Sequence, residues 1–164
     1  MNKHLLLTVV AGAVIIFDQA SKYGVQQMMA IHDYIEIIPG FFNLTYVQNP
    51  GAAFGIFGTT TGILRLALLV GISLFALAML LIMYEKTTGK FTLTHLAIAI
   101  IIGGAVGNLI DRIRLHWVMD FIDFYWNSKH WPSFNIADTA ITIGTLILMF
   151  NILFSRNRDI INSQ

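Results

Sequence analysis

Long apolar runs separated by short polar stretches set the rhythm of this chain, and their lengths predict four membrane-crossing helices. Residues 5–28, 61–84, 91–114 and 136–154 are each long enough, at about 1.5 Å per residue, to span roughly 30 Å of hydrocarbon. Between the first two the pattern changes. Tyr34-Ile35-Glu36-Ile37-Ile38 and Phe41 to Val47 flank the turn signal Pro39-Gly40, so a small sheet is expected over about residues 32–58. Its aromatic residues Phe41, Phe42 and Tyr46 suit a membrane interface. Residues 115–135, rich in Trp, Phe and Tyr, are read as an outer connection. The expected fold is a mainly α membrane protein, one domain over 1–164, with four transmembrane helices and a small extracytoplasmic β-sheet between helices 1 and 2. Internal repeats and low-complexity segments are not visible.

Composition strengthens the membrane reading. The 164 residues are 56% hydrophobic and only 12% charged, with a mean hydropathy of +0.70, against about 25% charged in soluble domains. A formal net charge of +1 offers no basic face for nucleic acid. With no cysteine, disulfides, thiol nucleophiles and Cys-ligated zinc are excluded. The start, Met1-Asn2-Lys3-His4 and then an apolar run, has the look of a secretory leader. No small-residue cleavage pattern follows it, and the apolar pattern resumes at Tyr23, so it is read as the first helix. Lys3, Lys86, Lys90, Arg156 and Arg158 flank one side, while residues 30–60 contain no Lys or Arg. Both termini are therefore expected in the cytoplasm and the sheet outside, although Arg114 and Lys129 weaken the bias.

Polar residues at the membrane borders carry the candidate chemistry. An ionised Asp at the centre of a span costs roughly 2.5–3.5 kcal/mol on insertion scales, so such residues need a purpose. Asp18 and Lys22 are four residues apart on one helical face and can pair. Ser21 and Lys22 point about 100° apart, which disfavours a Ser/Lys hydrolase dyad. Asn49-Pro50-Gly51 suits a tight turn or close backbone approach. Gly103 and Gly107 are spaced for close helix packing, and Asn108, Asp111 and Arg112 follow on one face. His95, His116 and His130 lack metal-ligand spacing and read as interfacial residues; Asp123 reads as a loop carboxylate pairing with a base such as Lys129. The motifs of zinc proteases, serine hydrolases and P-loops are absent. Residue spacing leaves Asp18, Asp111, Asp120, Asp123 and Asp138 as candidate acids and does not choose among them.

Five blocks, in order, resemble the bacterial lipoprotein signal peptidase (signal peptidase II) family. They are Asp18-Gln19-Ala20-Ser21-Lys22, Asn49-Pro50-Gly51-Ala52-Ala53-Phe54, Gly103 to Arg112, Val118-Met119-Asp120-Phe121 and Phe134-Asn135-Ile136-Ala137-Asp138. The resemblance implies an aspartyl endopeptidase of the inner membrane. Its substrates would be diacylglyceryl-modified prolipoproteins, cut on the amino side of the lipidated cysteine. It implies catalytic roles for Asp120 and Asp138, and site-lining or supporting roles for Asp18, Lys22, Asn49, Gly51, Asn108, Arg112 and Asn135. Membrane lipid is the other expected partner; no metal or cofactor is expected, and the chain is expected to act as a monomer. A small proton-coupled transporter using the same acids is the alternative, with a non-catalytic lipoprotein-binding chaperone a third reading. A transporter should show a repeat and a midplane site, whereas these acids cluster toward one border.

Overall fold

The structure, a computed structural model, describes residues 2–51, 62–88 and 92–161, those from 155 onward by backbone alone. The end of the expected sheet (52–58), Ala52, Ala53 and Phe54 of the second sequence block, Lys90, and the expected helix starts at 61 and 91 lie outside the described residues.

Among the described residues, four helices are long and apolar enough to cross a membrane: α1 (Lys3–Met28), α2 (Gly62–Lys86), α3 (Leu93–Leu115) and α4 (Ile136–Ile161). Local signals set their ends. Asn2 caps α1 by accepting the His4 N–H, and Thr92 does the same for α3 from His95. α3 stops at His116, whose left-handed backbone (φ 69°) accompanies a hydrogen bond from its N–H to the Arg112 carbonyl.

α3 is the central helix, packing against α1, α2 and α4. Small residues make that possible. A methyl group on Gly103 would lie 2.8 Å from Val14 Cβ and 3.0 Å from the Ala11 backbone, and one on Gly104 would strike the Ala137 carbonyl oxygen. The first glycine therefore admits α1 and the second α4, the close approach that lipid-embedded helices use in place of a hydrophobic driving force. α2 lies at the periphery with Ile63 and Phe75 turned outward, 81% and 70% exposed, as a lipid-facing helix should be. At the end of α2, Tyr84 and His95 are fully buried and meet edge to face. His95 is thus a core residue rather than an interfacial one.

β1 (Tyr34–Ile38), β2 (Phe42–Asn49), β3 (Val118–Trp126) and β4 (Lys129–His130) form one antiparallel sheet in sequence order. The first hairpin was expected. The second departs from the reading of residues 115–135 as an irregular connection: Val118–Trp126 pairs with β2 from Phe42↔Phe124 to Asn49↔Val118. β-branched and aromatic residues favour this strand, while Asp120 and Asp123, unfavourable in strands, obscure it in the sequence. Each of those acids has amide partners that offset its burial. A bulge sets Thr45 and Tyr46 against one residue of β3 and brings Val47 opposite Asp120. Leu44 and Tyr46 join Val25, Met29, Met119 and Phe121 in an apolar cluster that seats the sheet on the helix ends.

Candidate active site

The first turn of α4 begins the site. Asn135 is its N-cap: its Oδ1 accepts the Asp138 N–H (2.9 Å), and the Asp138 carboxylate accepts the Asn135 N–H (3.3 Å). This is a capping box built from Asn and Asp, satisfying two otherwise orphaned helix donors. The remaining half of the Asn135 side chain points elsewhere. Its Nδ2 donates to Asp120 Oδ1 (2.8 Å), to the Met119 carbonyl (3.0 Å) and to Asn108 Oδ1 (3.1 Å). Asn135 is fully buried and holds one carboxyl by its oxygen end and the other by its nitrogen end.

Two further amides complete the frame. Asn49 Nδ2 donates to Asp120 Oδ2 (2.9 Å), while its Oδ1 accepts the Gly51 N–H (2.8 Å). That second bond turns the amide so that its donor faces Asp120. Gly51 adopts φ +81°, a conformation that favours glycine, while the only close neighbour a Cβ would meet among the described residues is the movable end of the Leu69 side chain. On α3, Asn108 Nδ2 donates to Asp138 Oδ1 (2.7 Å). Asp120 and Asp138 are thus each held by two or more donors, with Asn135 common to both.

Beneath this layer lies a buried ionic cluster. Lys22 Nζ is 2.8 Å from Asp18 Oδ2 and 2.7 Å from Asp111 Oδ2, and donates to Asn108 Oδ1 at 3.2 Å. Asp18 and Lys22 therefore pair, as their spacing on one helical face allows. Asp18, with no exposed surface, also accepts the Ala137 N–H (2.9 Å), placing a carboxylate from α1 at the N-terminus of α4. Asp111 accepts the Met119 N–H (3.2 Å), tying α3 to β3. Gly107 gives this cluster room, since a methyl group there would sit 2.7 Å from Asp18 Oδ2. Ser21 donates to the Asp18 carbonyl and stays apart from Lys22 chemistry.

Burial pushes the Asp120 carboxyl up to about 6, and the nearby Asp138 charge acts in the same direction; the Asn49 and Asn135 hydrogen bonds oppose it. Asp120 thus holds a proton at pH values where an ordinary carboxylate has lost it. Asp138 opens on a groove of about 280 Å³ lined also by Trp131, Phe134, Thr139, Thr142 and Ile143. Such a groove suits an apolar chain with a polar bond at one point. Among the described residues, no group of three or more His, Cys, Asp or Glu is placed to hold a metal ion.

Seven expected site residues, Asp18, Lys22, Asn49, Asn108, Asp120, Asn135 and Asp138, meet in this one network. Gly51 joins through Asn49. Arg112 is the outlier: its Nη1 reaches Ser73 at 3.5 Å, and its buried Nε has no hydrogen-bond partner among the described residues. Gln19 was not singled out by the sequence. Its Nε2 donates to both Asp111 (2.9 Å) and Asp18 (3.1 Å), and its position beside Asp18 was the available signal. Asp123 differs from the expected Lys129 pairing. It lies on β3, where Asn43 and His130 hold it, because the short β4 brings His130 beside Tyr125 rather than leaving a free loop.

A family model described as signal peptidase (SPase) II matches residues 10–154. A lipoprotein signal peptidase of Desulforapulum autotrophicum is 40% identical over 98% of this chain and all of its own length. One from a Sulfurihydrogenibium species is 42% identical over 99% of this chain and all of its own. Among solved structures, a bacterial membrane enzyme superposes with a TM-score of 0.81 at 34% identity, covering 93% of this chain and 90% of that one.

Proposed function

The chain belongs to the signal peptidase II family, and on that premise we propose that Asp120 and Asp138 hydrolyse a peptide bond of membrane-anchored prolipoproteins. The bond is the one on the amino side of a diacylglyceryl-modified cysteine. The enzyme is then an aspartic endopeptidase of the bacterial inner membrane, with both termini in the cytoplasm and the site at the outer face.

One observation carries this reading: the Asn135 side chain bonds Asp120 with one end and caps the helix that carries Asp138 with the other. Two carboxyls framed together in a partly dry site divide their roles by environment. We assign the base to Asp138, in the first turn of α4 and bonded by Asn108 and the Asn135 N–H. It takes a proton from a water attacking the scissile carbonyl. Asp120, with its raised affinity for a proton, polarises the carbonyl oxygen and then protonates the leaving nitrogen. The groove beside Asp138 receives the apolar signal segment.

The test is cleavage of a diacylglyceryl-modified precursor by purified protein, followed as a mass shift. Asp120→Asn and Asp138→Asn should each abolish product while leaving detergent-solubilised protein folded. Turnover by either folded variant would refute the paired-aspartate mechanism.

A further inference from the structure

The hairpin of β3 and β4 carries an aromatic groove with one permanent cation. Side chains alternate across a strand, so Phe124 and Trp126 share one face of β3 while Asp123 and Tyr125 share the other. Trp126 pairs in register with Lys129, and the Trp131 N–H donates to the Phe124 carbonyl (2.8 Å), which sets Lys129 and Trp131 beside those two rings. Together with Phe41 they line a groove of about 310 Å³. Neither Asp nor Glu lines it, and His130 at its edge is engaged by Asp123. Lys129 is exposed and makes no ion pair among the described residues.

Trp126 and Trp131 are 72% and 68% exposed. An indole ring with its N–H is satisfied on both counts at a membrane interface, where one side is apolar and the other wet. The depth of the groove follows from α4. Its membrane-capable part, Ile136–Phe154, has 19 residues, about 28 Å of helix, close to the roughly 30 Å thickness of hydrocarbon. The hydrocarbon border therefore falls near Ile136. Trp131 lies just ahead of it in sequence and also lines, with Thr139, Thr142 and Ile143, the groove that begins at Asp138. Further along the helix Ile143 and Leu146 are exposed, as lipid-facing residues should be. The aromatic groove is thus continuous, through Trp131, with the lipid-facing side of α4, and Lys129 stands at headgroup depth.

The chemistry of the groove selects its occupant. An acyl chain alone would leave the Lys129 ammonium without a counter-ion, and a free anion would leave the indole rings in water. A phospholipid answers both, with its phosphate on Lys129 and its glycerol and upper acyl chains against Trp126, Trp131 and Phe41. We propose that this groove binds the headgroup of an anionic phospholipid of the phosphatidylglycerol type, in the leaflet that borders the two framed carboxyls. The bound lipid holds the hairpin against the membrane. Because Trp131 is a wall of both grooves, it also keeps the mouth of the Asp138 groove level with the bilayer surface. Binding of the lipid does not depend on the peptidase reading above.

Trp126 and Trp131 are two of the 3 tryptophans, so indole fluorescence reports on the groove. The full chain is reconstituted in phosphatidylcholine vesicles, and quenching is followed as phosphatidylglycerol or phosphatidylcholine brominated on the upper acyl chain is added. At low salt the brominated phosphatidylglycerol should reach half-quenching at about fivefold lower mole fraction, and added salt should narrow the difference. Lys129→Gln, at an exposed position, should abolish the difference; Arg114→Gln, in the last turn of α3 and outside the groove, should leave it. Equal quenching by the two lipids in the wild type overturns the proposal, as does a difference unchanged in Lys129→Gln. A difference lost equally in Arg114→Gln overturns it too, since that reflects general charge attraction. With Trp126→Phe and Trp131→Phe combined, the preference should vanish from the remaining Trp117 signal; its persistence there places the lipid elsewhere and overturns the site. A preference lost in sodium phosphate but kept in sodium chloride of equal ionic strength assigns the groove to a free anion and overturns the lipid assignment.

Discussion

Replacing Asn135 by Ser separates the two jobs of that side chain. Serine keeps an oxygen that can accept the Asp138 N–H, so the cap on α4 survives. It lacks the amide nitrogen that reaches Asp120, Asn108 and the Met119 carbonyl. The buried Met119 carbonyl then loses a donor, at a cost of about 1–3 kcal/mol in stability. Asn135→Ala loses the cap as well, adding about 1 kcal/mol. Both variants should therefore melt below the wild type in detergent, with Ala the lower. Activity should follow a different rule. Both lose the same hydrogen bond to a carboxyl, about 1.5–3 kcal/mol, so if that bond orients Asp120 for the reaction, kcat should fall about 10- to 150-fold in each. A pH profile provides an independent check: the Asn135 bond favours the ionised form of Asp120, so its loss should shift the high-pH limb upward. If Asn135→Ser keeps kcat within twofold of the wild type, or if the fall in rate tracks melting temperature across both variants, the claim that Asn135 positions Asp120 is wrong.

The other predictions follow from neighbouring parts of the network. With the Asp120 carboxyl near 6 and its protonated form serving as the acid, kcat/KM should decline as pH rises through about 6; Asn49→Ala removes another bond to the ionised form and should move that decline to higher pH in a steady-state profile. Lys22→Met leaves Asp18 and Asp111 without their shared cation and should cost about 3–5 kcal/mol, read as a large loss of thermal stability that Asp18→Asn and Asp111→Asn together partly restore. Gly107→Ala forces a methyl group against Asp18 Oδ2 and should lower both stability and cleavage, whereas Gly12→Ala, which meets nothing within 4 Å, should change neither appreciably.

The helices were legible because hydrocarbon imposes a length and a composition on anything that crosses it. Half of the sheet was legible for a related reason: Pro39-Gly40 marks a turn between two β-rich runs. β3 was harder to see, because Asp120 and Asp123 interrupt its apolar pattern and two of their partners, Asn49 and Asn43, come from a distant part of the chain. The pair Asp120 and Asp138 came from resemblance, since spacing alone left five acids in contention. Resemblance gave Asn135 a supporting role without saying what it supports. Its bond to Asp120 depends on the docking of β3 against α4, which no local pattern encodes. The ionic cluster was half visible: Asp18 and Lys22 advertise their pairing at i and i+4, but Asp111 joins them only when α3 packs on α1.

The contact between Asp18 and the Ala137 N–H links positions 119 residues apart, and it has a consequence for how the protein is made. α1 is synthesised first and the start of α4 last among the spans, so the acid on α1 waits through almost the whole of translation for the helix end it will bind. Until α4 is threaded and docked, Asp120 has no Asn135 and no opposing carboxyl. A half-inserted chain therefore lacks the frame that, on the proposed mechanism, the reaction requires. The frame around both carboxyls closes only when the last helix docks.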